Sequence, residues 1–211
     1  MKQPFVLLQT AFLLAALCPC GVAWAGGHPP KANPASEYAD VDAHPNEHVS
    51  VAAEPFDTED RTKFFRLDYL KYELLPVRII ITNAGDRPVS LDDVRIQFLS
   101  ASGDRLPAAI PDEIDRRMND TRNPMDKYHT PIPLPHGRTH NQKIDQDIAD
   151  FGFSTTLVEP HTTLSGFLFY DVSGVDKPWL RGAQIYIKVM KDADGKELFP
   201  FTIDLDKLPQ H

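Results

Sequence analysis

Hydrophobic and polar residues alternate in several short stretches of the chain, which is the period of a β-strand with one buried face. The alternation is clearest where Val77, Ile79 and Ile81 fall on the same side of a predicted strand. Asn83-Ala-Gly-Asp86 follows, and its residues tolerate a positive φ, so the stretch from Val77 to Phe98 is predicted to be a hairpin. The side chain of Asn83 is expected to bond to the backbone of this turn.

The same alternation, or a continuous apolar run, predicts strands elsewhere in the chain, at 49–55, 155–158, 163–172, 184–189 and 199–205. Together with the two strands of the hairpin, this makes about seven strands with turn sequences between most of them. Such a pattern favours an immunoglobulin-like antiparallel β-sandwich. A β-barrel is the alternative, because alternation does not reveal whether a sheet closes on itself.

Residues 106–153 interrupt this pattern and predict a long, partly helical insertion. Short helices are expected at 111–118 and 141–150, and the residues between them are rich in proline and histidine. In the second helix Ile144 and Ile148 share one face at the i, i+4 spacing, so Asp145, Asp147 and Asp150 are predicted to form the solvated face. Loops on a rigid scaffold often carry recognition, so the binding surface is expected in this insertion.

The N-terminal residues have the pattern of a secretory signal peptide. Lys2 precedes a short apolar run, and small residues at Ala23 and Ala25 suit a signal peptidase, so residues 1–25 are predicted to be removed. Residues 26–47 have almost no large apolar side chain and are predicted to be a flexible linker or tail. Residues 48–211 are predicted to form the single domain. Lipid attachment at Cys18 or Cys20 is the alternative reading of the leader.

Composition narrows the classes of function. Both cysteines lie within the predicted leader, so the processed chain is expected to have no disulfide and no thiol nucleophile. The formal net charge of −8 disfavours a nucleic-acid partner, which would require a basic surface. No apolar stretch after the leader is long enough to predict a transmembrane span.

Histidines are the one group of residues in this sequence that suggests a metal-binding site. His129, His136 and His140 are close in sequence, and imidazole is a common ligand for Zn²⁺ and Cu²⁺, so they are the candidate metal ligands. The alternative is a solvated loop with incidental histidines. There is no Gly-x-Ser-x-Gly turn and no phosphate-binding glycine loop, so the chain is expected to have no catalytic residues and no cofactor. Trp179 is expected to pack on the core or to belong to an exposed aromatic surface.

Several short motifs resemble those of a group of exported bacterial proteins of uncharacterised function, each with one immunoglobulin-like domain. The motifs are Ala53-Glu-Pro-Phe-Asp57, Leu75-Pro-Val77, Asp92-Asp93 before Ser102-Gly-Asp104, and Glu159-Pro-His161 before Gly166-Phe-Leu-Phe169. The resemblance spans roughly residues 49–205 and rests on turn and core residues. It implies the immunoglobulin-like fold and an exported, periplasmic location, and it implies no catalytic residues.

These observations predict an exported, non-catalytic binding module of the cell envelope, whose partner is a protein or another envelope component. The step from fold to function is an analogy, since such folds serve many functions. The alternative is a periplasmic metal-handling accessory protein that uses His129, His136 and His140.

Overall fold

Antiparallel β-strands make up most of the ordered secondary structure in a computed structural model of the protein. The structure describes residues 31–122 and 141–206. The strands are β1 (Val41–His44), β2 (Val49–Pro55), β3 (Leu74–Asn83), β4 (Val89–Ser90), β5 (Arg95–Leu99), β6 (Arg105–Pro107), β7 (Leu157–Val158), β8 (Thr162–Asp171), β9 (Gln184–Lys188) and β10 (Phe201–Asp204). The helices are α1 (Glu59–Thr62), α2 (Pro111–Arg122) and α3 (Gln142–Phe151), with 3₁₀ turns at Ala35–Glu37 and Leu70–Tyr72.

The described strands form two four-stranded sheets and one two-stranded pair. The first sheet has the order β1-β2-β3-β8, and the second has the order β10-β9-β5-β6. In the first sheet Ile79 lies opposite Ala53 on one side and Gly166 on the other. In the second sheet Ile187 lies between Phe201 and Ile96. The short strands β4 and β7 pair with each other.

Side chains from the inner faces of both sheets form the main core. Val77, Ile79 and Ile81 of β3 are fully buried in the same cluster as Phe98 of β5 and Ile185 of β9. The predicted inward face of β3 is therefore confirmed. Burying an apolar side chain of this size contributes about 1.5–3 kcal/mol, so this shared cluster is the main source of stability.

The predicted hairpin from Val77 to Phe98 is wrong, because its two strands belong to different sheets. β3 pairs with β2 and β8, whereas β5 pairs with β6 and β9. The turn itself forms as predicted: Asn83 Oδ1 accepts a hydrogen bond from Gly85 N at 2.9 Å, and Asn83 Nδ2 donates to the carbonyls of Arg87 and Val158. The chain continues from this turn into β4, which pairs with β7, and does not fold back onto β3.

Helices cover part of the outer face of the first sheet. Both helices that the sequence predicts in this region are present, as α2 and α3, and they bury Ile114, Met118 and Ile144. Beneath them lies an aromatic cluster, which we call the aromatic layer, formed by Phe56, Phe64, Phe65, Tyr69, Phe167 and Phe169. Phe167 and Phe169 are the outward side chains of β8, so one strand supplies residues to both of its faces.

The N-terminal segment is more ordered than the sequence predicts. Residues 26–47 are expected to be a linker, but β1 within this range pairs with β2 in four residue positions. Ala35 is fully buried against Ala52 and Ile80 on the outer face of the first sheet. The prediction failed because small side chains pack closely on a sheet face and backbone hydrogen bonds need no large apolar residue.

The edges of the two sheets meet at β1 and β10. Asp42 Oδ2 accepts a hydrogen bond from Thr202 N at 2.8 Å, and Glu47 Oε1 accepts one from Phe199 N at 3.0 Å. Phe199 was predicted to lie in the last strand, but β10 begins at Phe201 and the side chain of Phe199 is 75% exposed. In the register of β10 with β9, Phe199 would lie opposite Val189, but β9 ends at Lys188 and Val189 has a positive φ of 63°, so Phe199 has no strand residue to pair with.

Several predictions fall outside the described residues. The leader of residues 1–25, the cysteines Cys18 and Cys20, and the metal candidates His129, His136 and His140 all lie there. Among the residues that are described, none of the helices combines the length and the apolar character needed to cross a bilayer.

Candidate functional site

The described histidines do not assemble into a metal site. His44 Nδ1 lies 2.9 Å from Glu47 Oε2, and its ring stacks on Phe201 with 4.0 Å between the ring centroids. His161 Nε2 lies 2.9 Å from Asp86 Oδ1. Within residues 31–122 and 141–206, no group of three or more histidine, cysteine, aspartate or glutamate side chains could hold a metal ion.

A cleft of about 690 Å³ is the strongest candidate for a binding site in the described part of the protein. Two other cavities measure about 380 and 350 Å³. Ligand pockets commonly have volumes of about 300–1,000 Å³. We call this cleft the Trp179 cleft. One wall contains Asp57, Glu59, Asp68, Leu70 and Lys71, and the other contains Lys177, Pro178, Trp179 and Leu180.

The tryptophan wall is the loop between β8 and β9. Trp179 and Leu180 are partly buried against the main core, which fixes the base of the loop. The loop also bonds to itself, because Arg181 N donates to Pro178 O at 3.1 Å and Ala183 N donates to Leu180 O at 3.1 Å. The indole is therefore held by packing, while part of its surface remains open to the cleft.

The ammonium group of Lys177 lies over the Trp179 ring, with 4.6 Å between Nζ and the ring centroid. A cation at this distance is attracted by the negative charge density on the face of an indole. Lys177 is exposed, and within the described residues it forms no ion pair with a carboxylate. The contact shows that the open face of Trp179 accepts a cation.

The acidic wall is the segment between β2 and β3, and α1 anchors its first half. Arg61 donates hydrogen bonds to the carboxylate of Glu54 and to Pro55 O, the latter at 2.6 Å. Its guanidinium group also lies 4.2 Å from the centroid of the Phe56 ring. These contacts hold the start of the segment against the first sheet, and Asp57 and Glu59 project from it as exposed side chains.

Asp147 on α3 anchors the second half of the acidic wall. Its carboxylate accepts hydrogen bonds from Arg66 N at 3.0 Å, Arg66 Nη1 at 2.8 Å and the Tyr69 hydroxyl at 2.9 Å. The predicted solvated face of α3 is therefore wrong at Asp147, which is fully buried. The hydrogen bonds compensate for the cost of burying this carboxylate, and they place Asp68 at the rim of the cleft.

Burial raises the pKa of the Tyr69 hydroxyl above its ordinary value, and the neighbouring Asp147 carboxylate raises it further. Tyr69 therefore stays protonated and acts as a hydrogen-bond donor to Asp147 at physiological pH. This keeps the segment that carries Asp68 and Leu70 tied to α3. The helix thus determines the position of a cleft wall to which it contributes no lining residue.

Three carboxylates of the cleft form no ion pair at contact distance among the described residues. Asp57, Glu59 and Asp68 form no ion pair there; Asp68 Oδ1 instead accepts a hydrogen bond from Lys71 N at 3.3 Å. Other exposed carboxylates are paired, such as Asp194 with Arg87 and Asp93 with Lys191. The cleft therefore offers an aromatic surface beside three carboxylates that form no ion pair in the described part of the chain, together with the ammonium groups of Lys71 and Lys177.

Sequence reasoning identified one wall of this cleft only in part and missed the other. Trp179 was considered as a core or surface residue, and it is both partly buried and open to the cleft. The acidic residues at the start of the segment from Asp57 to Lys63 predict a short helix there, and α1 confirms it. Nothing in the local sequence indicates that two segments so far apart along the chain lie opposite each other.

Comparison with known proteins adds no relative, since no family model, no curated protein and no solved structure matches this chain.

Proposed function

We propose that this protein is an exported, non-catalytic, immunoglobulin-like module of the cell envelope that binds a protein or another envelope component through the Trp179 cleft. The observation that carries the proposal is the cleft itself: a cavity of about 690 Å³ with a tryptophan that is fixed on the core and still open to solvent. Partly exposed tryptophans are frequent anchors of binding interfaces.

Strand order supports the immunoglobulin-like assignment. If β2, β3 and β8 are taken as strands A, B and E, then β5, β6, β9 and β10 correspond to C, C′, F and G. The first sheet then has the order β1-A-B-E, with β1 as an additional edge strand, and the second has the order G-F-C-C′, whereas the basic form of this fold has sheets A-B-E-D and G-F-C. The segment that carries α2 and α3 takes the place of strand D in the chain.

Export and a periplasmic location are part of the proposal because of the leader pattern in residues 1–25. A single domain formed by residues 48–211, with residues 106–153 as an insertion, is proposed on the same basis. The ordered segment at β1 extends that domain toward the N-terminus.

The experiment is crosslinking in the intact envelope, followed by purification of the tagged protein. We expect a specific crosslinked partner with the native chain and its loss in Trp179→Ala. Phe199→Ala is the matched control, because Phe199 is an exposed aromatic residue outside the cleft. Near-ultraviolet circular dichroism and thermal melting would verify that both variants fold.

Equal capture by the native chain, Trp179→Ala and Phe199→Ala would contradict a binding role for the cleft. Recovery of only abundant envelope proteins, in the same amounts for all three chains, would contradict the binding function itself.

A further inference from the structure

Charge and aromatic character together define what kind of ligand the Trp179 cleft can bind. The cleft is lined by three carboxylates that form no ion pairs within the described residues, and by the exposed ammonium groups of Lys71 and Lys177. One of these ammonium groups, that of Lys177, lies on the indole face. A positively charged ligand is attracted both by the carboxylates of the acidic wall and by the face of Trp179. An anion would be repelled by the acidic wall.

We propose that the Trp179 cleft binds a basic segment of a partner protein, with a lysine or arginine side chain on the face of Trp179 in place of Lys177. This inference rests on the proposed binding function and specifies its ligand. The other basic groups of the segment would lie along Asp57, Glu59 and Asp68. In the unbound protein, Lys177 occupies the position that the ligand cation takes.

Two observations favour a basic peptide over a single small cation, and a third favours a positively charged partner of either kind over an anion. Asp57 and Glu59 come from one end of the acidic segment and Asp68 from the other, so the negative charge is distributed along the wall. The cavity volume is large enough for several side-chain groups. The chain as a whole carries a formal net charge of −8, which attracts a basic partner before contact.

The test uses fluorescence of Trp179. The sequence contains two tryptophans, so in the full chain with Trp24→Phe the emission comes from Trp179 alone. The probe is the capped tripeptide Lys-Gly-Lys, and the comparison peptides are capped Ala-Gly-Ala and Glu-Gly-Glu. We expect Lys-Gly-Lys to change the emission in a saturable way, with weaker binding at higher salt, and the other two peptides to have no effect.

Variants locate the interaction within the cleft. Asp57→Asn with Glu59→Gln is expected to weaken Lys-Gly-Lys binding by about fivefold or more. The matched control is Asp86→Asn with Glu159→Gln, which removes the same charge from exposed residues at the opposite end of β8 and is expected to leave binding unchanged. Lys177→Met is expected to strengthen binding, because the competing ammonium group is removed.

The inference fails if Glu-Gly-Glu binds as well as Lys-Gly-Lys, or if the control pair weakens binding as much as the cleft pair. Weaker binding by Lys177→Met would also overturn it. Spermidine binding as tight as that of the peptide would assign the cleft to small polycations instead of a protein segment. If crosslinking in the envelope depends on Trp179 while the peptides show no charge preference, the proposed function survives and only its ligand class is wrong.

Discussion

Tyr69 and Tyr170 are both fully buried, and they differ in what their hydroxyl groups contact. The Tyr69 hydroxyl donates to Asp147 at 2.9 Å. The Tyr170 ring lies beside Phe98 in the main core, and its hydroxyl has no hydrogen-bond partner within the described residues. Burial raises the pKa of Tyr170 above its ordinary value, so this hydroxyl remains neutral. An unpaired buried hydroxyl costs free energy, whereas a paired one stabilises the fold.

We therefore expect opposite effects from one substitution at these two positions. Tyr69→Phe should lower the free energy of unfolding by about 1–3 kcal/mol, because it removes a hydrogen bond from the buried Asp147 carboxylate. Tyr170→Phe should leave this free energy unchanged or raise it by about 1 kcal/mol. Urea denaturation of both variants provides the measurement. A similar loss of stability in both variants would contradict this assignment.

At the scale of elements, the sequence predicted strands and helices better than it predicted their partners. Alternation identified the inward face of β3, and i, i+4 spacing identified α3, because both patterns are local. The pairing of β3 with β8 is not local, and no turn sequence indicates it. The burial of Asp147 was missed for the same reason, since its partners Arg66 and Tyr69 come from a different segment.

The chain that leaves α3 can approach β8 closely because residue 166 is a glycine and has no side chain. A Cβ atom at Gly166 would lie 2.5 Å from Phe153 N and 2.8 Å from Gly152 C, so the chain that leaves α3 passes directly over β8. No other residue fits at this position without movement of the backbone. Gly166 is opposite Ile79 on the inner face of the first sheet, so it sets how closely Gly152 and Phe153 approach this face of β8.

Gly166→Ala is expected to lower the free energy of unfolding by about 1–3 kcal/mol through overpacking. It should also accelerate amide exchange at Gly152, whose N–H bonds to Ile148 O at the end of α3. Gly174→Ala is the control, because a Cβ there meets no atom within 4 Å, and its effect should stay within about 0.5 kcal/mol. Equal stability of the two variants would show that Gly152 and Phe153 do not approach β8 this closely.

At the scale of the whole molecule, the cleft could not be predicted because its walls meet only in the folded chain. The acidic wall precedes β3, and the tryptophan wall follows β8. Their proximity follows from the antiparallel pairing of these two long strands, which brings Leu74 opposite Asp171. The residue types predict a surface helix in the acidic wall and a packed tryptophan in the other wall. Neither prediction indicates that the two segments meet.

The junction of the two sheets at β1 and β10 makes a further prediction. Asp42→Ala should accelerate amide exchange at Thr202, whose N–H bonds to Asp42, while Phe201 and Ile203 remain protected because their N–H groups point toward β9. Asp42→Asn keeps an oxygen acceptor and should restore most of the protection. Hydrogen exchange measured by NMR distinguishes these residues, and unchanged exchange at Thr202 in Asp42→Ala would contradict the junction.

The junction of β1 and β10 also has a consequence for synthesis. A growing chain leaves the ribosome with its N-terminus first. Asp42 therefore emerges 160 residues before Thr202, its hydrogen-bond donor. Until β10 has been made, the free side of β1 remains open, and an open strand edge can pair with other unfinished chains. The completed fold therefore protects this edge only after nearly all of the described chain has been translated.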